Sequence, residues 1–247
     1  MKIIENPQLA DGREHLWLLD AFLYPISSAG LIHLAVFILL PQLVSFFARL
    51  LSAFLAPVLG RGTGYILAFL LVPFYIVFYS YIFYYITDCV ISSSKGNKRA
   101  PDATIQETIG IGDLISKLIL VLGCFGISLC APAVYYILTR RTDLTFWLLS
   151  AAGAFFLPMS LLSGIIFDSF DALNPILIIG SISNAFFSYC GLVLFFLAIT
   201  AFALFVVPRI PIWGFLLTGI KFYLLFVLTH LLGWFYWWNK DKLDWGI

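Results

Sequence analysis

Long apolar runs separated by short polar segments make up most of this chain. The runs are apolar on every face, without the two-residue alternation expected of strands in a membrane barrel. A helix crosses hydrocarbon in roughly 20 residues and satisfies its own backbone hydrogen bonds there. The pattern therefore predicts an all-α, polytopic transmembrane helical bundle of about six spans plus short interfacial helices. Within a transmembrane domain of residues 26–239, the predicted spans are 26–59, 65–91, 114–138, 144–167, 189–207 and 212–238.

The segment before the first span predicts a helix lying at the membrane surface. Residues 1–25 include a short apolar cluster, 15–23, between charged flanks, and Pro25 ends it. The first span is too long for one perpendicular helix and contains Pro41. Two arrangements fit: a tilted helix kinked at Pro41, or a helix that breaks there so that only one half crosses. We expect the tilted span.

A helix start is predicted at Asn174-Pro175. The Asn side chain can cap free amides, and Pro needs no amide at the first helical position. The first turns of this helix are expected at the interface, because they carry Ser181, Ser183 and Asn184. The span proper then begins near residue 189.

Composition agrees with the apolar pattern. The chain is 62% hydrophobic and 11% charged, with a mean hydropathy of +1.01, which excludes a water-soluble domain of 247 residues. A net charge of +1 gives no reason to expect a nucleic-acid partner. The N-terminus lacks the features of a cleaved signal peptide and is expected to be retained. The four cysteines fall in apolar segments and are expected to be buried thiols.

Lys and Arg accumulate on one side of the predicted membrane. An even number of spans puts both termini on that side, and the bias predicts that it is the cytoplasmic side of a cell inner membrane. The N-terminal helix and a tail of residues 240–247 are then cytoplasmic. The cytoplasmic set is Lys2, Arg13, Lys95, Lys98, Arg99, Lys117, Lys240 and Lys242, and the opposite set is Arg61, Arg140, Arg141 and Arg209.

Ionisable residues inside spans are costly in lipid and are therefore candidates for function. Arg49 and Lys221 lie deepest, and with Gln42 and Asn184 they form a candidate intramembrane polar path. The alternative, which we favour, is that the two basic side chains snorkel to the surface or contact backbone carbonyls. Two other ionisable residues within the spans, His33 and His230, have no carboxylate three or four residues away. They are expected to be core histidines whose ring nitrogens are hydrogen-bonded. Asp88 and Lys117 are expected at solvated helix ends.

Familiar catalytic signatures are missing. The sequence contains no GxSxG elbow, HExxH pair, P-loop or dinucleotide-binding glycine pattern. No catalytic, cofactor-binding or metal-binding residues are predicted, and the chain is not expected to be an enzyme.

Loose motifs along the chain carry a resemblance. They are Tyr24-Pro25 followed by Ser28 and Gly30; Pro101-Asp102 leading to Asp113-Leu114; and Phe156-Leu157-Pro158 through Asp168, Ala172-Leu173-Asn174-Pro175, Ser181-Ile182 and Tyr189. Together they resemble bacterial multi-pass membrane-protein families known only as domains of unknown function, with relatives in planctomycete-type genomes. The resemblance implies a helical bundle with interfacial helices and brings no activity or functional residues.

Two functions fit this pattern. The first is a membrane accessory or scaffold subunit, whose aromatic-rich spans pack against lipids, partner subunits or a second copy of the chain. The alternative is a permease-like subunit that moves a small or lipidic substrate with a separate ATPase, which six spans and surface helices in the loops also fit. We rank the scaffold first.

Overall fold

The computed structural model describes residues 17–60, 62–101, 110–211 and 213–245. These residues form helices and turns without strands, which confirms the all-α bundle. Six of the helices are long and apolar enough to cross a membrane. The helices are α1 Trp17–Leu23, α2 Ser28–Leu59, α3 Gly62–Ser94, α4 Ile111–Thr139, α5 Leu144–Phe167, α6 Pro175–Asn184, α7 Phe186–Ala201 and α8 Gly214–Leu243.

The first span is one continuous helix. α2 runs through Pro41 and Pro57 to Leu59, so the arrangement with a break at Pro41 is wrong. Within a bilayer, neighbouring groups can satisfy the carbonyl that a proline frees, so proline is tolerated inside a span. Of the predicted interfacial helix, the described part is α1, and residues 1–16 lie outside the described chain.

Several helices extend beyond their predicted ends. α7 begins three residues earlier than predicted and continues through a π-helical turn, Phe202–Val206, and a 3₁₀ turn, Val207–Arg209. α8 continues to Leu243, so the predicted boundary at residue 240 falls inside it. Lys240 and Lys242 in its last turn suit the negative end of the helix dipole, which explains why two charges do not end the helix.

The predicted helix start at Asn174 is confirmed. The Asn174 side chain accepts a hydrogen bond from the backbone N–H of Ile176 at 3.0 Å, and Pro175 is the first residue of α6. Capping satisfies one of the amides that the first helical turn leaves free.

Glycines allow the central helices to pack closely. A Cβ at Gly233 of α8 would lie 2.4 Å from the Val90 carbonyl oxygen of α3, and one at Gly153 of α5 would lie 2.2 Å from the Ser128 carbonyl oxygen of α4. Small residues at helix contacts are the usual means of association in membranes, where burial of apolar surface gives little driving force.

Ion pairs between described residues join elements at one end of the bundle. Lys98, after α3, pairs with Asp20 of α1 at 3.3 Å, and Lys117 of α4 pairs with Asp168 at the end of α5 at 2.6 Å. The partner of Lys117 is therefore an aspartate from another helix end. Both lysines belong to the set that the sequence assigns to the cytoplasmic side. The orientation of this end toward the cytoplasm remains a prediction.

Candidate functional site

The distal parts of α2 and α3 form a two-helix projection that we call the outer hairpin, residues 38–59 and 64–77. None of its described side chains is buried. Its large apolar side chains are highly exposed: Phe54 is 71% exposed, Val58 81%, Tyr65 81% and Phe69 80%. An apolar surface of this extent on a membrane protein is covered by lipid or by another protein.

The outer hairpin extends past the start of α8. α2 and α8 run antiparallel, since Tyr24 stacks on His230 while Phe37 contacts Phe222 farther along α2. Ile38 packs directly on Gly219, only five residues after α8 begins. α2 continues for 21 residues beyond Ile38, about 31 Å, whereas α8 reaches back only about 8 Å. Roughly 24 Å of the hairpin therefore lies beyond the first turn of α8.

Two residues of the predicted polar path lie on this hairpin. Gln42 and Arg49 are both exposed and stand seven residues apart, about two helical turns, so they share a face of α2. Neither makes a hydrogen bond or ion pair with the described residues. Nearby, the Ser45 hydroxyl bonds the Tyr75 hydroxyl at 3.3 Å and ties the two helices together.

The other two predicted path residues lie elsewhere. Lys221 is exposed on α8, and Asn184 is exposed at the end of α6. The four residues thus occupy three helices and all face outward, and none belongs to the buried core of the described chain. A polar path through them remains a prediction, and its walls would need groups from outside this bundle.

A buried cluster surrounds His33 on α2. Its Nδ1 lies 2.9 Å from the Ala29 carbonyl oxygen, and its Nε2 lies 3.0 Å from the Tyr81 hydroxyl. Only an N–H can donate to a carbonyl, so Nδ1 carries a proton and donates to Ala29, while Nε2 and the Tyr81 hydroxyl share the second hydrogen bond. The ring also stacks on Tyr85 with centroids 3.7 Å apart. Through Tyr81 and Tyr85, this histidine holds α2 against α3.

The second buried histidine joins α8 to α3. His230 Nδ1 lies 2.8 Å from the Ser93 hydroxyl, and its ring stacks on Tyr24 at 4.2 Å. Tyr24 in turn donates to the Cys89 carbonyl at 3.4 Å. Burial raises the pKa of the Tyr24 phenol above its ordinary value, so the hydroxyl keeps its proton and remains a donor.

The prediction that both histidines are hydrogen-bonded core residues is confirmed. The sequence did not identify Tyr81 and Ser93 as their side-chain hydrogen-bond partners. Those partners lie 48 and 137 residues away in sequence. A signal was present: Tyr81, Tyr85 and Asp88 follow one another at spacings of four and three, which places them on one face of α3. Asp88 is half-buried.

The described residues contain no group of three or more His, Cys, Asp or Glu side chains that could hold a metal ion. The four cysteines are free, two of them buried. Burial is confirmed for Cys89 and Cys124, whereas Cys130 is exposed and Cys190 half-buried, because their helix faces lie on the outside of the bundle.

No family model, curated protein or solved structure matches the chain.

Proposed function

We propose that this chain is an integral membrane accessory or scaffold subunit whose outer hairpin packs against helices of a partner membrane protein. The observation that carries the proposal is the outer hairpin itself, which combines an unburied apolar surface with Arg49, a cation that has no partner among the described residues.

The length of α2 supports this proposal. The Ser27 hydroxyl at its start accepts a hydrogen bond from the Ala100 amide, which places that end beside the polar segment after α3. Arg49 lies 21 residues beyond Ser28, about 31 Å, and hydrocarbon is about 30 Å thick. An upright α2 would bring Arg49 to the far headgroups and push the apolar tip of the hairpin into water. A strongly tilted α2 would keep the tip in lipid and draw an outward-facing Arg49 into hydrocarbon.

Either placement is unfavourable for the chain alone. Arginine costs about 3 kcal/mol at the centre of a helix in lipid and less toward the end, where Arg49 lies, and an apolar tip in water exposes side chains such as Phe69. A partner that covers the hairpin and offers a carboxylate or carbonyl oxygens to Arg49 removes both costs. The expected partner is therefore a membrane protein with an acceptor group at that depth.

Site-specific photo-crosslinking in native membranes tests the proposal. A benzophenone amino acid at Phe54 or Phe69 is expected to give discrete protein adducts on denaturing gels. Leu138 at the end of α4 is the matched control, since it is 78% exposed and Phe69 is 80% exposed. We expect lipid adducts alone from Leu138. Lipid adducts alone from all three positions would contradict the proposal.

The Arg49→Leu variant tests the electrostatic part. We expect it to lower the yield of the protein adduct at Phe54 several-fold, because the partner then buries an acceptor without its cation. Lys221→Leu, which removes an exposed cation outside the outer hairpin, is the control and is expected to leave the yield unchanged. Equal yields from wild type and both variants would show that Arg49 does not contact the partner.

A further inference from the structure

A groove of about 400 Å³ opens between α7 and α8, in a different part of the chain from the outer hairpin. Its walls are mainly aromatic and aliphatic, with Phe187, Phe195, Leu231, Trp234 and Trp238 among the lining residues. Phe187 is 90% exposed and Trp238 is 68% exposed, so the groove opens at the outside of the bundle.

One end of the groove carries a buried amide. Asn239 is only 5% exposed, and its side-chain nitrogen donates to the Phe235 carbonyl at 3.0 Å. That bond fixes the orientation of the amide, because only its nitrogen can donate. The side-chain oxygen of Asn239 has no hydrogen-bond donor among the described residues, although the residue lines the groove. This oxygen is not one of the enclosed side-chain atoms without a partner, which in the described chain are the Tyr85 and Ser128 hydroxyls, so it is accessible from the groove and can accept a hydrogen bond from a ligand there.

The groove changes character with depth. Asn239 precedes Lys240 and Lys242, which mark the headgroup level at the end of α8. Leu231 lies eight residues earlier, about 12 Å deeper along the helix. The polar end therefore lies among headgroups and the apolar end among acyl chains. This arrangement matches a phospholipid in the same leaflet, whose headgroup lies at the membrane surface and whose acyl chains lie deeper.

We propose that the groove binds one phospholipid molecule whose headgroup carries an N–H donor, as an ethanolamine headgroup does. An acyl chain lies between the aromatic walls, and the ammonium group donates to the side-chain oxygen of Asn239. A choline headgroup carries the same charge and can equally approach the rings of Trp234 and Trp238, but it has no N–H to donate. The groove thus distinguishes ethanolamine from choline lipids. The proposal is independent of the partner suggested for the outer hairpin.

Native mass spectrometry of the full chain in detergent tests the proposal, with ethanolamine and choline phospholipids of identical acyl chains as probes. We expect wild type to retain one ethanolamine lipid with about tenfold higher affinity than the choline lipid, the value of one hydrogen bond to a charged group. Equal affinity for the two lipids would contradict the proposed hydrogen bond from the headgroup ammonium to Asn239.

Two substitutions locate the site. Gly191 lines the groove, and a Cβ added there meets no atom within 4 Å, so Gly191→Leu places its larger side chain in the groove without a backbone clash at Cβ. Gly126→Leu on α4, also in open space, is the matched control. We expect Gly191→Leu to abolish lipid retention and Gly126→Leu to preserve it. If the Gly191→Leu variant retains the lipid at the wild-type level, the lipid does not bind in this groove and the proposal is wrong.

Asn239→Leu separates the headgroup contact from the acyl-chain contact. It is expected to bind both lipids equally, at the weaker wild-type affinity, while Gly191→Leu binds neither. Thermal unfolding of each variant in the same detergent confirms that it is folded. If Asn239→Leu does not fold, the comparison of Gly191→Leu with Gly126→Leu still shows whether the lipid binds in the groove. A photo-crosslinker at Phe187 that captures a protein chain instead of lipid would also overturn the proposal.

Discussion

Substituting Gly233 with alanine tests how α3 and α8 are held together. The added Cβ would lie 2.4 Å from the Val90 carbonyl oxygen, 2.6 Å from Ser93 Cβ and 2.9 Å from the Ser94 nitrogen. Two of these three atoms belong to the backbone, so a change of side-chain rotamer cannot relieve the contact. The helices must separate by about 1 Å before the distances become ordinary van der Waals contacts.

The cost of that separation can be estimated. Overpacking of a close contact costs about 1–3 kcal/mol. The 2.8 Å bond between Ser93 and His230 would lengthen beyond hydrogen-bonding range, which costs about 1 kcal/mol more. Alanine returns about 1 kcal/mol through its higher helix propensity. We therefore expect Gly233→Ala to lower the free energy of unfolding by about 2 kcal/mol.

Unfolding of the purified protein by increasing SDS in mixed micelles, followed by tryptophan fluorescence, measures this free energy. Gly126→Ala is the control, because the same Cβ there meets no neighbour, and it is expected to leave stability unchanged or slightly raised. Equal stability of Gly233→Ala and Gly126→Ala would refute the close packing of α3 on α8.

Three further predictions use the same unfolding assay. His33→Phe should lower stability by about 2 kcal/mol, because it removes two hydrogen bonds and deprives Tyr81 of its partner; unchanged stability would show that these bonds contribute nothing. Lys117→Met should cost less than about 1 kcal/mol, since Asp168 is largely solvated, and a larger loss would contradict this. A hydrogen bond from Tyr135 lowers the pKa of Asp143. The Asp143 carboxylate therefore makes its whole contribution to the free energy of unfolding above about pH 4, and this contribution is lost as the pH falls through the lowered pKa. Asp143→Asn should remove that acid-sensitive component, and an unchanged profile would contradict its origin.

The fold was predictable because hydrocarbon imposes a minimum helix length. Runs of apolar residues located all six spans, and local capping chemistry located the start of α6 at Asn174. The continuous α2 agrees with the tilted span that was expected over a break at Pro41, although a proline alone does not decide between the two arrangements.

The site residues were harder to predict for a physical reason. Helices that are apolar on every face give no amphipathic signal of which face turns inward. Sequence therefore could not show that Arg49 and Gln42 face outward while His33 faces inward on the same helix. The contact between His33 and Tyr81 depends on how α2 packs against α3, and a spacing of 48 residues carries no local sign of it.

Six crossings of the bilayer are the foundation of this account, and thiol accessibility in sealed vesicles of one orientation tests them most directly. Cysteines introduced one at a time at Lys95, Arg141 and Lys242, with the four native cysteines kept, are compared using a membrane-impermeant maleimide. The wild-type chain, whose four cysteines lie within spans, provides the background. We predict that Lys95→Cys and Lys242→Cys label alike, and that Arg141→Cys labels only from the opposite side of the membrane. Labelling of Lys242→Cys from the same side as Arg141→Cys, or of all three from one side, would contradict the account.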